Sequence, residues 1–197
     1  MTNYSPDTFS ETGFVSLSVK GGTEHEFMTI TETVDIKVGD KDIDNINTLA
    51  GGRLVKFNPQ DISEITLEAY APEVVTTSST AGSAGTGFAD LIHTNTDVTQ
   101  PISMVNDRTR QKVRCVIMWT TDTSVTKATS ATTGTNAAFR VTFINGYVTQ
   151  YNEAFTDGIK KATIKMRVPA FDKSGTANIT FESTDGNGVL PAITAYS

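Results

Sequence analysis

The stretch Gly158–Gly186, GIKKATIKMRVPAFDKSGTANITFESTDG, decides how this chain folds. Within it Ala162, Ile164, Met166 and Val168 share one parity, and Lys161, Thr163, Lys165 and Arg167 take the other. That period of two belongs to a strand with one face in a core and one face wet. Pro169 lacks the N–H a ladder needs and ends the strand. Asp172–Gly175 (DKSG) predicts a turn, and Ala177–Glu182 (ANITFE) a last strand.

The same period recurs toward the N-terminus. Gly13–Lys20 alternates, with Val15, Leu17 and Val19 on one face. Phe27–Val38 reads as one strand, Met28, Ile30, Val34, Ile36 and Val38 sharing a parity; Glu32 falls on it too and predicts a bulge. Arg53–Phe57 is a short strand stopped by Asn58-Pro59. In Ile62–Tyr70, Ile65, Leu67 and Ala69 face inward and Glu64, Thr66 and Glu68 outward. Lys112–Thr120 is apolar on both parities and predicts a central strand buried on both faces. Ala138–Phe143 alternates up to Asn145-Gly146, a tight-turn signal, with a further strand at Tyr147–Tyr151. Phe88–His93 is the expected site of a short helix. Thr76–Gly87 and Thr121–Asn136 are small, polar and of low complexity, and such tracts form long loops.

Composition agrees. The 197 residues suit one domain, and 33 of them are threonine, β-branched and at home on a pleated surface. The expected fold is mainly β, an antiparallel β-sandwich or rolled sheet with one short flanking helix and long polar loops. The net charge of −6 disfavours a protein that grips nucleic acid through phosphates. One cysteine, Cys115, excludes an intrachain disulfide. The opening MTNYSPDTFSETG has no basic start and no apolar run, so no secretion signal is expected, and no apolar run is long enough to span a membrane.

Catalysis requires convergent titratable groups, and the sequence offers few. His25, between Glu24 and Glu26, reads as a solvated strand entry, and His93 sits in no motif. Cys115 lies in an apolar strand, where a thiol is inert. Asp40, Asp42 and Asp44 are spaced like the start of a calcium loop. Asn45 stands where such a loop needs glycine and Gly51 where it needs glutamate, so a solvated acidic turn is the expectation. No enzyme activity, metal or cofactor is expected.

The stretch from Phe139 to Asp185 carries a resemblance: GIKKATIKMRVPAFDKSGTANITFESTDG resembles the C-terminal part of major tail tube proteins of tailed phages and related archaeal viruses. There an alternating strand leads through a proline into a D-K-x-G turn and a final strand. Gly51–Tyr70, GGRLVKFNPQDISEITLEAY, resembles the same family's short strand, polar turn and S-x-I-T-L-E-like strand. The resemblance implies a virion structural protein made in the host cytoplasm, six copies to a ring, with rings stacked into a tail tube that passes viral DNA without binding it. Implied partners are further copies of itself and tail proteins such as tape measure, terminator and baseplate or tip components. A single domain over 1–197 is expected, with loops 76–87 and 121–137 ordering on assembly; Thr76, Thr77, Ser78, Ser79, Thr80, Gly82, Gly85 and Gly87 would bridge subunits. Glu64, Thr66 and Glu68 would line the lumen; alternatively Glu64 and Glu68 face Lys165 and Arg167 as cross-strand ion pairs. Two other classes fit the composition less well: a capsid decoration or other minor virion protein, and a cell-surface binding module.

Overall fold

The computed structural model describes residues 12–28, 34–70, 91–92, 102 and 111–197. The protein is mainly β, and among these residues there is no α-helix. The strands are β1 (Thr12–Val19), β2 (Glu24–Met28), β3 (Val34–Lys37), β4 (Ile43–Asn47), β5 (Arg53–Phe57), β6 (Ser63–Tyr70), β7 (Val113–Thr120), β8 (Ala137–Thr156), β9 (Ile159–Val168) and β10 (Ile179–Asp185). Every pairing is antiparallel. The main sheet runs β2-β1-β7-β8-β9-β6-β3, with β10 also on β8, and β4 and β5 form a separate two-stranded ribbon.

Strand β8 organises the molecule. Its first half, Ala137–Gly146, pairs with β7, and its second half, Tyr147–Thr156, with β9; β10 pairs along Ala137–Phe143. The sheet therefore changes neighbours midway along one 20-residue strand. Inward side chains of β1 and β7 (Leu17, Ile117) and of β6 and β9 (Leu67, Ile164) lie in one buried cluster, although β1 and β6 are four places apart in sheet order. A sheet can do this only by rolling over on itself. Each of these fully buried side chains contributes about 1.5–3 kcal/mol.

The other face of the β1-β7-β8 half carries a second, smaller core of Phe14, Val116, Met118, Val125 and Ala128, with Ile193 against it. Strand β7 is sandwiched between the two cores, which explains why both its parities are apolar.

Several expectations need correction. Asn145-Gly146 is not a hairpin turn. Opposite it the β7 register jumps from Cys115↔Phe143 to Val113↔Gly146, so β8 carries one extra residue there: a bulge. Asn145 adopts φ 57°, and its side-chain amide donates to Asn178 Oδ1 (2.8 Å) while accepting from the Tyr196 hydroxyl (3.1 Å). The hairpin turn lies at Asp157-Gly158, whose positive φ values of 53° and 80° match the right-handed twist of β8 and β9. Phe27–Val38 is not one strand of one sheet partnership: β2 lies beside β1 and β3 beside β6, and Glu32 falls outside the described residues. The helix expected at Phe88–His93 also lies outside them, apart from Leu91 and Ile92; Leu91 is fully buried in the main core. Strand β4 was not expected at all, because its sequence IDNIN has no two-residue period.

Candidate assembly surfaces

The outer face of the β3-β6-β9 half carries the residues expected to line a lumen. Register places them in cross-strand rows. Lys37 stands opposite Glu64, and Glu64 opposite Arg167; Asp35 stands opposite Thr66, and Thr66 opposite Lys165; Glu68 stands opposite Thr163. The Arg167 guanidinium reaches Glu64 Oε1 at 2.6 and 2.8 Å. Glu68 approaches Lys161 at 3.9 Å, two rows along β9 from the Lys165 of the cross-strand alternative. The Glu64 pair is therefore the cross-strand ion pair itself. The face holds Lys37, Lys161, Lys165 and Arg167 against Asp35, Glu64 and Glu68, so it is a compensated mosaic rather than a sheet of negative charge. Exposed pairs of this kind contribute at most about 1 kcal/mol.

The β4–β5 ribbon is a second surface. All ten of its strand residues are exposed, among them Ile43, Ile46, Leu54, Val55 and Phe57. At its tip the Thr48 amide and hydroxyl both donate to Gly52 O, at 2.8 and 2.9 Å, Gly51 takes φ 78°, and Leu49 stands fully in solvent. At its root, Phe57, Ile62 and the Pro169–Phe171 connection enclose a largely apolar cleft. The Asp40–Asp42–Asp44 run lies at this root. Asp44 Oδ2 accepts from the Asn58 amide (2.8 Å), and the Asp61 amide donates to Asp40 O (2.9 Å), an arrangement of turn and strand entry. Among the described residues no group of three or more His, Cys, Asp or Glu could hold a metal ion.

A third region is the Thr-rich tract after β7. Composition gave it little reason to fold alone, yet within the single chain it packs down. Val125 and Ala128 enter the second core. Asp122, 3% exposed, ties the tract together: Oδ1 accepts from the Ser124 amide (3.0 Å) and hydroxyl (2.6 Å), and Oδ2 from the Thr133 amide (2.8 Å) and hydroxyl (2.5 Å). The Ser124 bonds first, then those of Thr133, hold its carboxyl well below the usual carboxylate range. Over this tract runs the C-terminal segment, secured by two buried arginines. Arg140 donates to Glu182 (2.8 Å) and Pro191 O (2.7 Å). Arg114 pairs with Glu24, donates to Thr194 O (2.6 Å) and lies 5.4 Å from the Tyr196 ring centre. Thr132 N and Leu190 O (3.1 Å), and Ile193 N and Thr129 O (2.9 Å), complete the strap.

Of the other singled-out residues, His25 is 1% exposed in β2 and not a solvated entry, because its neighbour in register is the fully buried Leu17. Burial pushes the Cys115 thiol far up, the state of an unreactive cysteine. His93 and the loop residues Thr76, Thr77, Ser78, Ser79, Thr80, Gly82, Gly85 and Gly87 lie outside the described residues. Sequence reading missed the exposed apolar ribbon; its only signal was Ile43, Ile46, Leu49, Leu54 and Phe57 crowded around a Gly-Gly turn.

No family model and no curated protein matches the chain. Among solved structures, it is similar to a chain of the anti-feeding prophage baseplate (10% identity, 94% of this chain and 99% of that one, TM-score 0.48). It is similar also to a chain of the anti-feeding prophage tube-terminating cap (9% identity, 86% and 88%, TM-score 0.46). A third is a chain of the sheath–tube complex of an extracellular contractile injection system in its extended state (12% identity, 86% and 88%, TM-score 0.44).

Proposed function

We propose that this chain is a virion structural protein whose copies polymerise as stacked hexameric rings into a tail tube through which viral DNA passes. The observation that carries the reading is the β4–β5 ribbon. A two-stranded ribbon bare on both faces is marginal in water, and one that also exposes five large apolar strand side chains calls for a second surface to cover it. A chain whose projecting surface differs from the surface it meets assembles head to tail, and such contacts make rings when the rotation closes and filaments when it does not. The resemblance of Phe139–Asp185 and Gly51–Tyr70 to tail tube proteins favours the same assembly. Tape measure, terminator and baseplate or tip proteins are the expected partners at its ends, and the virion tail its location. No chemistry is assigned to it: the buried Cys115 and the turn-bound aspartates belong to the fold.

The Glu64, Thr66 and Glu68 face lines the lumen in this reading. Its carboxylates act by neutralising Lys37, Lys161, Lys165 and Arg167, so that DNA meets a surface with little net attraction for phosphate. Loop 76–87 orders between subunits.

Negative-stain images and mass measurement of the concentrated protein test the proposal. Rings of six with a central hole, alone or stacked, are expected. Closed dimers or trimers as the end state overturn it.

A further inference from the structure

We infer that the tip of the β4–β5 ribbon of one copy seats in the apolar cleft at the ribbon's root in the next copy. The inference rests on the head-to-tail polymerisation proposed above and names its contact.

The two surfaces differ in place and character. Five residues of strand span about 17 Å, so tip and root lie at opposite ends of the ribbon. The tip presents Leu49, which no neighbouring residue covers, on a tight turn secured by the Thr48–Gly52 bonds. A rigid loop with one bare leucine loses little conformational freedom on insertion, which favours binding. The cleft presents the complement: Phe57 (74% exposed), Ile62 (57%) and Phe171 (49%), with Pro59 and Pro169 holding its walls.

Charge points the same way. Between Asn47 and Val55 the only charged side chain is Arg53. Around the root stand Asp40, Asp42, Asp44 and Asp61, opposed by Lys41 and Lys56. A cationic tip therefore meets a rim with two carboxylates in excess, and two roots or two tips brought together repel. That disfavours contacts between like surfaces and fits tip against cleft, and the disulfide ladder below separates an open head-to-tail chain from two copies exchanging tips.

A mixing experiment tests this. Leu49→Asp spoils the tip and Phe171→Asp the cleft; both side chains are exposed, and the circular dichroism and melting of each monomer check that it still folds. Each variant alone should need about tenfold or more higher concentration to polymerise, the loss of a buried anchor. Mixed together they should form paired species that do not elongate, because one intact tip and one intact cleft remain. Leu49→Cys with Phe171→Cys should yield a ladder of disulfide-linked multimers on oxidation, whereas either single variant stops at a dimer; the native Cys115 is buried. Polymerisation of Leu49→Asp at the wild-type concentration overturns this contact while leaving the tube intact. A wild-type protein that forms no rings or filaments overturns both.

Discussion

Glu64 and Asp122 show how differently a carboxylate can be used. Glu64 lies on a wet face opposite Lys37 and Arg167, so its pairing matters little for stability and much for surface charge. Replacing both Glu64 and Glu68 with glutamine should leave the melting temperature nearly unchanged. It should leave Lys37, Lys161, Lys165 and Arg167 opposed by Asp35 alone. Tubes built from this double variant should retain or delay DNA on ejection and should bind duplex DNA with a salt-dependent affinity absent from wild type; ejection at the normal rate would remove this face from the lumen. Asp122 is the opposite case. Asp122→Ala removes four hydrogen bonds from a buried carboxylate to Ser124 and Thr133, two exposed residues whose freed donors can turn to water, and should cost about 1–2 kcal/mol in denaturant unfolding. Its folded carboxyl titrates below the unfolded one, so its contribution is complete above the ordinary range near pH ~4 and is lost as pH falls through the lower folded value. The stability gap between wild type and Asp122→Asn should therefore stay constant above about pH 5 and narrow on acidification. A gap that widens toward acid would show that the carboxylate is not the stabilising form.

Among elements, the C-terminal strap has no regular structure, yet it supplies acceptors to two arginines buried in the sheet. Ending the chain after Gly188 removes Pro191 O, Thr194 O and the Tyr196 ring together and uncovers the second core. Leaving buried guanidinium groups short of acceptors, with Leu190 and Ile193 gone, should destabilise the subunit by about 3–5 kcal/mol. Hydrogen exchange should show the tract 121–136 losing protection first, since its bonds to the strap go with it. Unchanged melting of the truncated chain would mean that the arginines find water instead.

At the level of the whole molecule, the rolled sheet is complete as one subunit, and the loop 76–87 has a composition with little capacity to pack by itself. Ordering a loop costs about 1–2 kcal/mol per residue, which assembly contacts must offset. Deleting Ser78–Gly85 should accordingly leave the monomer's unfolding transition in place and impair polymerisation, read by sedimentation. A deletion mutant that assembles as wild type does would make the loop tolerated surface.

The alternation in Lys161–Val168, Ile62–Tyr70 and Gly13–Lys20, and the double-sided apolar run of Lys112–Thr120, by themselves determined β9, β6, β1 and β7 and the class of the fold, because a pleat imposes its period locally on any half-buried strand. The outward parity of Glu64, Thr66 and Glu68 was legible for the same reason; their pairing was not, since it depends on which strand lies alongside. Asn145-Gly146 carries the chemistry of a turn, and only Asn178, Tyr196 and the β7 register made it a bulge. Asp157-Gly158 is the turn because β8 continues past the bulge to meet β9. The Thr-rich tract looked like loose loop because composition counts polar groups but not their closure. Asp122 and the strap close them, through contacts 11 and 58 residues apart in sequence. The exposed ribbon was decided by tertiary structure alone: Arg53–Phe57 reads as one short strand and nothing local says which face is covered, and only the rolled sheet, which forms its core without these apolar side chains, leaves them bare.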